Sequence, residues 1–201
     1  MRLVCFSDTH NQLPKNIPEC GDVLIFAGDY ARSRDDCNLP ENEAMNRFLT
    51  FADWFSELPH KFKLLVAGNH DDILIYNYDV LKAYPSIIHM RNSGVDIEGF
   101  KFWGYDANQV YYGSALSKIP KVVDVLVSHV PPEIYGLNSG AVGDHLLGKK
   151  LKNIDTLKVV INGHFHSGGG VVKEVDGIRY CNCALSDENY QLCRSPMIID
   201  L

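Results

Sequence analysis

The 201-residue sequence has no apolar run near the roughly 18 residues that a membrane span requires. Its opening stretch, MRLVCFSDTH, reaches acidic and polar residues too soon for the apolar region of a secretory signal. Both absences predict a soluble, cytoplasmic protein away from any membrane. There is no excess of basic residues: 19 Lys and Arg stand against 25 Asp and Glu, a formal net charge of −6. The chain therefore has no bulk field to gather extended nucleic acid. A small phosphate-bearing ligand stays compatible, because bound divalent ions add positive charge that the residue count omits. The six cysteines are scattered, Cys5 in one strand-like run and Cys181 and Cys183 alternating in another. That usage fits reduced thiols better than a disulfide framework. A zinc knuckle on the last pair is the sharper alternative, with no second CxxC or His pair beside it. Internal repeats, low-complexity tracts and linkers are also missing, which favours one domain over 1–201, long enough to bury a core without disulfides.

Apolar, β-branched runs occur at 2–6, 23–27, 63–67, 122–127, 158–161 and 196–199. Continuous runs of this kind predict strands covered on both faces. In ENEAMNRFLTFADWFSEL, residues 41–58, Met45, Phe48, Leu49, Ala52 and Phe55 recur at helical spacing and predict an amphipathic helix. A second helix is expected over 141–152, with Asp144 near its start and Lys149, Lys150 and Lys152 near its end. Residues 95–105 and 171–183 alternate like antiparallel strands, and 105–120 reads as irregular surface loop. The sum is an α/β or α+β fold with two stacked sheets.

Chemistry enters after the apolar runs. Asp8-Thr9-His10 follows the first, Gly28-Asp29 the second and Gly68-Asn69-His70-Asp71 the third. Ser128-His129, ahead of Pro131-Pro132, follows the fourth, and Gly163-His164-Phe165-His166 the fifth. Open α/β sheets place ligand residues at such strand ends. Each residue alone has an ordinary explanation: Asp8 or Asp29 as a helix cap, Asn69, Gly68 or Gly163 as turn residues. Carboxylates, an amide and imidazoles at five successive strand ends are harder to explain separately. His164 and His166, two apart, would share one side of an extended chain. The chemistry that needs this mixture is phosphoryl transfer on two divalent ions about 3.5–4 Å apart, which also generate hydroxide from water at neutral pH. Imidazole with carboxylate suits manganese first, then iron, zinc or nickel.

In this order the motifs resemble the calcineurin-like metallophosphoesterase superfamily, whose pattern is DxH, GD, GNH(D/E), a His before a Gly or Pro loop, and GHxH. FSDTHNQLP, GDVLIFAGDY, FADWFSELPHKFKLLVAGNHD, SHVPPEIYG, AVGDHLL and CNCALSDENY are most similar to its compact MPPED-like branch. The resemblance implies a four-layer α-β-β-α sandwich of two mixed β-sheets. It implies that Asp8, His10, Asp29 and His166 hold one metal, and that Asp29, Asn69, His129 and His164 hold the other, Asp29 bridging. His70 would stabilise or protonate the leaving oxygen, with Asp71 or a nearby acid orienting it. The branch usually carries GHIHEGYG where this chain has GHFHSGGG, and a GC pair where it has Gly143-Asp144. The segment 105–120 is also shorter than in the branch, and all three departures border the substrate mouth without touching a metal ligand.

The activity this implies is hydrolysis of a small phosphodiester, a cyclic or modified nucleotide first. A phosphomonoesterase and a non-catalytic metal-binding scaffold are the alternatives. His60 and His89 read as surface or half-buried histidines. His145, beside the Gly-Asp pair, reads the same way, with a phosphate or base contact as its alternative. Arg32 and Arg34 read as solvated, with inward, bidentate phosphate binding as the alternative. Apolar aromatic strands would support a homodimer.

Overall fold

The computed structural model describes residues 1–32, 40–106, 112–133 and 143–201. The described residues form eleven strands: β1 Arg2–Phe6, β2 Val23–Phe26, β3 Phe62–Leu65, β4 Ile87–His89, β5 Ser93–Ile97, β6 Phe100–Tyr105, β7 Val125–Ser128, β8 Val159–Asn162, β9 Val172–Val175, β10 Ile178–Asn182 and β11 Met197–Asp200. They also form four α-helices: α1 Glu41–Glu57, α2 Asp72–Tyr76, α3 Tyr112–Lys118 and α4 His145–Leu151. One sheet runs β11-β1-β2-β3-β4 and the other β5-β6-β7-β8-β10-β9.

Why the apolar runs are continuous follows from period-two alternation. Leu3 and Cys5 of β1 face the core between the sheets, with Val23, Ile25, Leu64, Val125, Val127, Val159 and Ile161. Val4 and Phe6, one residue out of step, face the opposite way, packing with Leu24 and Phe26 against Phe48, Phe51, Ala52 and Phe55 of α1. On the far side, Leu126, Val160 and Tyr180 pack against α3 and α4 through Ala115, Leu116, Leu147 and Leu151. Three cores separate four layers, α-β-β-α, as the resemblance implied. Each fully buried Phe of α1 contributes about 1.5–3 kcal/mol. Phe51 stacks on Phe55 with ring centres 5.4 Å apart.

The alternating segment 95–105 is the antiparallel pair β5–β6, and 171–183 contains the pair β9–β10. The second helix is shorter than expected, His145–Leu151, because Asp144 caps it: its Oδ1 accepts from the Leu147 N–H at 2.9 Å. Residues 141–142 of that expectation lie outside the described residues. The segment 105–120 is corrected: β6 runs to Tyr105, 107–111 are outside the described residues, and α3 covers Tyr112–Lys118. That helix is too short to show a period in sequence, yet the fold buries its Ala115 and Leu116. His60 is also more buried than expected, 3% exposed, with Nε2 2.9 Å from the Pro18 carbonyl.

Strands β1, β2 and β3 run parallel, as do β6, β7, β8 and β10, so within each set the C-terminal ends share an edge. The two edges meet. Ser7 donates its N–H to the Cys183 carbonyl at 3.1 Å, across the sheets.

Candidate metal centre

At this shared edge the chain leaves its strands through strained backbone. Asp8, His10, Asp29 and His164 have φ of 56°, 46°, 63° and 69°, left-handed values that cost a non-glycine residue of order 1–3 kcal/mol. Backbone hydrogen bonds hold the strain: Asp8 N–H to Gly28 O at 2.9 Å, and Thr9 and His10 N–H to Asp29 O at 2.9 and 3.2 Å. Strain concentrated on the polar residues marks a site whose geometry is imposed by the fold.

Two clusters result. Asp8, His10 and His166 bring one potential ligand atom each within 4.8 Å of one another, and Asp29, His129 and His164 do the same. In the first, His10 Nε2 lies 3.0 Å from His166 Nε2, and His166 Nε2 lies 3.3 Å from Asp8 Oδ1. In the second, His129 Nε2 is 3.0 Å from Asp29 Oδ2. Two ligands about 2.1 Å from one ion, at tetrahedral or octahedral angles, stand about 3.0–3.4 Å apart.

Which imidazole nitrogens carry protons follows from their other partners. His10 Nδ1 is 3.0 Å from the Ala31 carbonyl, His129 Nδ1 is 2.8 Å from that of Ala27, and His166 Nδ1 is 2.8 Å from that of Asp187. A carbonyl only accepts, so each Nδ1 carries a hydrogen and each ring turns its Nε2 into the site, the atom that offers a lone pair whenever the ring is neutral. Nitrogens 3.0 Å apart, or facing a carboxylate at that distance, need a proton or a metal ion between them. Among the described residues the buried His129 Nε2 stands 3.0 Å from Asp29 Oδ2, with no well-aligned hydrogen bond to it. The residues present fit a pair of divalent ions.

The electrostatics agree. Burial pushes the His10 and His164 imidazoles down to about 4, leaving them neutral with a lone pair available. Burial would lower His129 as well, but the Asp29 carboxylate beside it outweighs that and holds it up, to about 10. Burial alone would raise Asp29, and His129 instead holds it well below the usual carboxylate range. A proton on His129 Nε2 pairs with Asp29, and a divalent ion bound there would take that proton's place.

Backbone N–H groups aim the carboxylates. Asp8 accepts from the His164 N–H at 3.1 Å and from the Ser7 hydroxyl, and Asp29 Oδ1 accepts from the His70 N–H at 2.9 Å. Two glycines make this approach possible. A Cβ at Gly68 would stand 2.0 Å from Asp29 Oδ1, and one at Gly163 would stand 2.2 Å from Asp8 Oδ2.

A scan against protein-family models then matches residues 1–168 to the calcineurin-like phosphoesterases. The chain belongs to that family. Among curated relatives, the human metallophosphoesterase domain-containing protein 1 is 28% identical over 241 residues, spanning all of this chain and 71% of the relative. A solved crystal structure superposes with TM-score 0.68 at 16% identity, covering 90% of this chain and 89% of its own. The phosphopantetheinyl hydrolase of Mycobacterium tuberculosis superposes with TM-score 0.54 at 14% identity, covering 94% and 90%. Both structural likenesses establish the fold.

Within this calcineurin-like frame, six of the seven expected ligand residues gather in the two clusters. Asn69 lies in the turn after β3, four residues beyond Leu65, and is exposed. His164 and His166 feed different clusters, but not by strand alternation. Strand β8 ends at Asn162, His164 turns left-handed, and His166 opens a 3₁₀ turn at His166–Gly168. His70 stands beside both clusters, its ring centre 5.4 Å from that of His10 and its Nε2 3.9 Å from Asp29 Oδ2.

Asp71 takes a place different from the one expected. It is fully buried, and its carboxylate accepts three backbone N–H groups, from Gly68 at 2.7 Å, Asp29 at 2.8 Å and Tyr30 at 3.0 Å. It therefore ties the loop after β3 to the loop after β2, and it orders His70 through that backbone. His145 is exposed and hydrogen-bonds Glu133. Sequence reasoning missed Tyr190, whose ring stands edge-on to His10 and His166, with centres 4.6 and 5.2 Å away. It lies in the quoted stretch CNCALSDENY, yet nothing local distinguishes it from any other loop tyrosine.

Proposed function

We propose that the chain is a dinuclear, metal-dependent phosphodiesterase acting on a small ester, a cyclic or otherwise modified nucleotide. The observation that carries the reading is the convergence of four imidazoles and two buried carboxylates in two adjacent clusters, with His70 alongside both. Asp8, His10, Asp29 and His166 would hold one ion. Asp29, Asn69, His129 and His164 would hold the other, with Asp29 shared between them. Two such ions, manganese first by donor type, supply charge neutralisation for phosphoryl oxygens and a lowered pKa for water.

The chain's own residues supply the rest. The carbonyls of Ala27, Ala31 and Asp187 fix the tautomers of His129, His10 and His166, so the donor atoms are arranged before substrate arrives. His70 is partly exposed and within reach of an ester lying over both clusters. It would donate a hydrogen bond to the charge developing on phosphorus-bound oxygen and pass a proton to the departing alkoxide. The negative net charge favours a small substrate over a polynucleotide, and the likeness to the MPPED-like branch supports a nucleotide diester.

The experiment is metal content, together with hydrolysis of bis(p-nitrophenyl) phosphate and p-nitrophenyl phosphate with and without manganese. Two ions per chain with diester turnover is the expected result. Monoester turnover alone would replace the reading with a phosphatase, and neither metal nor turnover would replace it with a scaffold.

A further inference from the structure

Arg32 stands three residues beyond Asp29, next to Ala31, whose carbonyl holds His10 Nδ1. Its guanidinium carbon lies 4.4 Å above the centre of the Tyr190 ring. Tyr190 in turn stands edge-on to both imidazoles of the first cluster, its centre 4.6 Å from that of His10. These two separations, added, confine the guanidinium carbon to within about 9 Å of the His10 ring centre.

Four other arginines are paired with oxygen. Arg2 pairs with Asp200 and Arg47 with Glu43, while Arg179 and Arg194 donate to the carbonyls of Asp200 and Ser186. Among the described residues, Arg32 has no acidic partner and rests on an aromatic face. Stacking occupies the face of a guanidinium and leaves its five N–H donors, which lie in the ring-like plane of the fork, free to bind at the edge. A second, independent observation sets Arg32 beside His70: both line one narrow crevice, with room for about a water molecule, together with Tyr30, Asp72 and Arg47. The crevice thus holds a stacked cation and the imidazole nearest both clusters.

We propose that Arg32, held on Tyr190, is a specificity-determining residue of this site, binding the anionic oxygens of a phosphate group carried by the substrate. The assignment deepens the phosphoesterase reading and rests on it for the identity of the anion. Tyr190 is the positioning residue: its ring fixes the guanidinium beside the first cluster, and the loop carrying it is tied down by Gln12, which donates to the Tyr190 carbonyl at 2.7 Å. Tyr190 lies beyond residue 168, where the family match ends, so this platform belongs to the chain's C-terminal part.

The test compares Arg32→Ala, Arg32→Lys, Tyr190→Leu and Tyr190→Phe with the parent in metal-loaded protein. Metal content, KM and kcat for bis(p-nitrophenyl) phosphate, and calorimetric affinity for inorganic phosphate are measured. Arg32→Ala should keep both ions and weaken phosphate binding and KM by about 10- to 100-fold, the size of a charge-assisted pair. Arg32→Lys, a point charge without the fork, should recover only part of the loss. Tyr190→Leu should move KM in the same direction with less effect on kcat, and Tyr190→Phe should retain more affinity than Tyr190→Leu. Phosphate affinity within twofold of the parent in Arg32→Ala would overturn the assignment. If the parent binds two ions but hydrolyses neither ester, the phosphoesterase reading fails, while the phosphate titration still decides the role of Arg32.

Discussion

Replacing Gly68 with Ala tests whether Asp29 is the residue on which the second cluster depends. The new Cβ would stand 2.0 Å from Asp29 Oδ1 and 2.6 Å from the Asp29 backbone nitrogen, with both atoms buried. Close packing around the methyl forces the carboxylate oxygen back by about 1 Å, and metal sites tolerate ligand errors of about 0.2 Å. Oδ1 is pinned by the His70 N–H at 2.9 Å, so its retreat costs that hydrogen bond and swings Oδ2 away from His129 Nε2. Overpacking of this kind costs about 1–3 kcal/mol. In urea that is a midpoint lower by about 1 M, measured on chelator-treated protein so that metal does not contribute. In parallel, metal affinity from equilibrium dialysis should fall about 100-fold or more, beyond the loss typical of an outer-shell change. Both ions retained at parental affinity, in a protein whose urea midpoint had dropped, would refute Asp29 as a ligand. An unchanged midpoint would refute the crowding itself.

His70→Ala should keep both metals and lose about 100-fold or more in kcat for the diester, and full activity across substrates would remove its assigned role. Asp71→Ala leaves three buried N–H donors without an acceptor, a loss of about 3–9 kcal/mol against a typical total of about 5–15. Thermal unfolding by circular dichroism should therefore show a collapsed or missing transition, and a parental melting temperature would sink the structural reading of Asp71. In metal-free protein, His129 is raised above its unfolded value, so its contribution to stability is complete below about 6.5 and is lost as pH rises through about 10. Chelated protein should unfold at progressively lower urea between pH 7 and 10. At neutral pH, metal must displace that proton, so calorimetry in buffers of different ionisation enthalpy should report release of about one proton per chain. No release would show that His129 is neutral before metal binds.

The motifs were legible because a strand end is a local event. Asp8, His10, Asp29, His129, His164 and His166 each follow an apolar run, and a run of four or five β-branched residues announces its own end. The layer order was legible for a related reason: Leu3 and Val4 are both apolar, so both faces of β1 need cover. Helix α3 was not legible, since seven residues span only about two turns and their burial depends on the sheet beneath them. The place of Asp71 was equally hidden, because its three donors come from backbone 3 to 42 residues away and leave no trace in side-chain chemistry.

By itself, then, the sequence determined which residues carry imidazole and carboxylate, that they fall at strand ends, and that two sheets would be covered on both sides. Only the tertiary structure decided how six of them divide into two trios, which nitrogen of His10, His129 and His166 faces the site, and that Arg32 rests on Tyr190. The reason is physical. Apolar periodicity acts over a few residues and is written locally, whereas a tautomer is set by whichever carbonyl the fold brings to the other nitrogen. For His129 that carbonyl belongs to Ala27, 102 residues away.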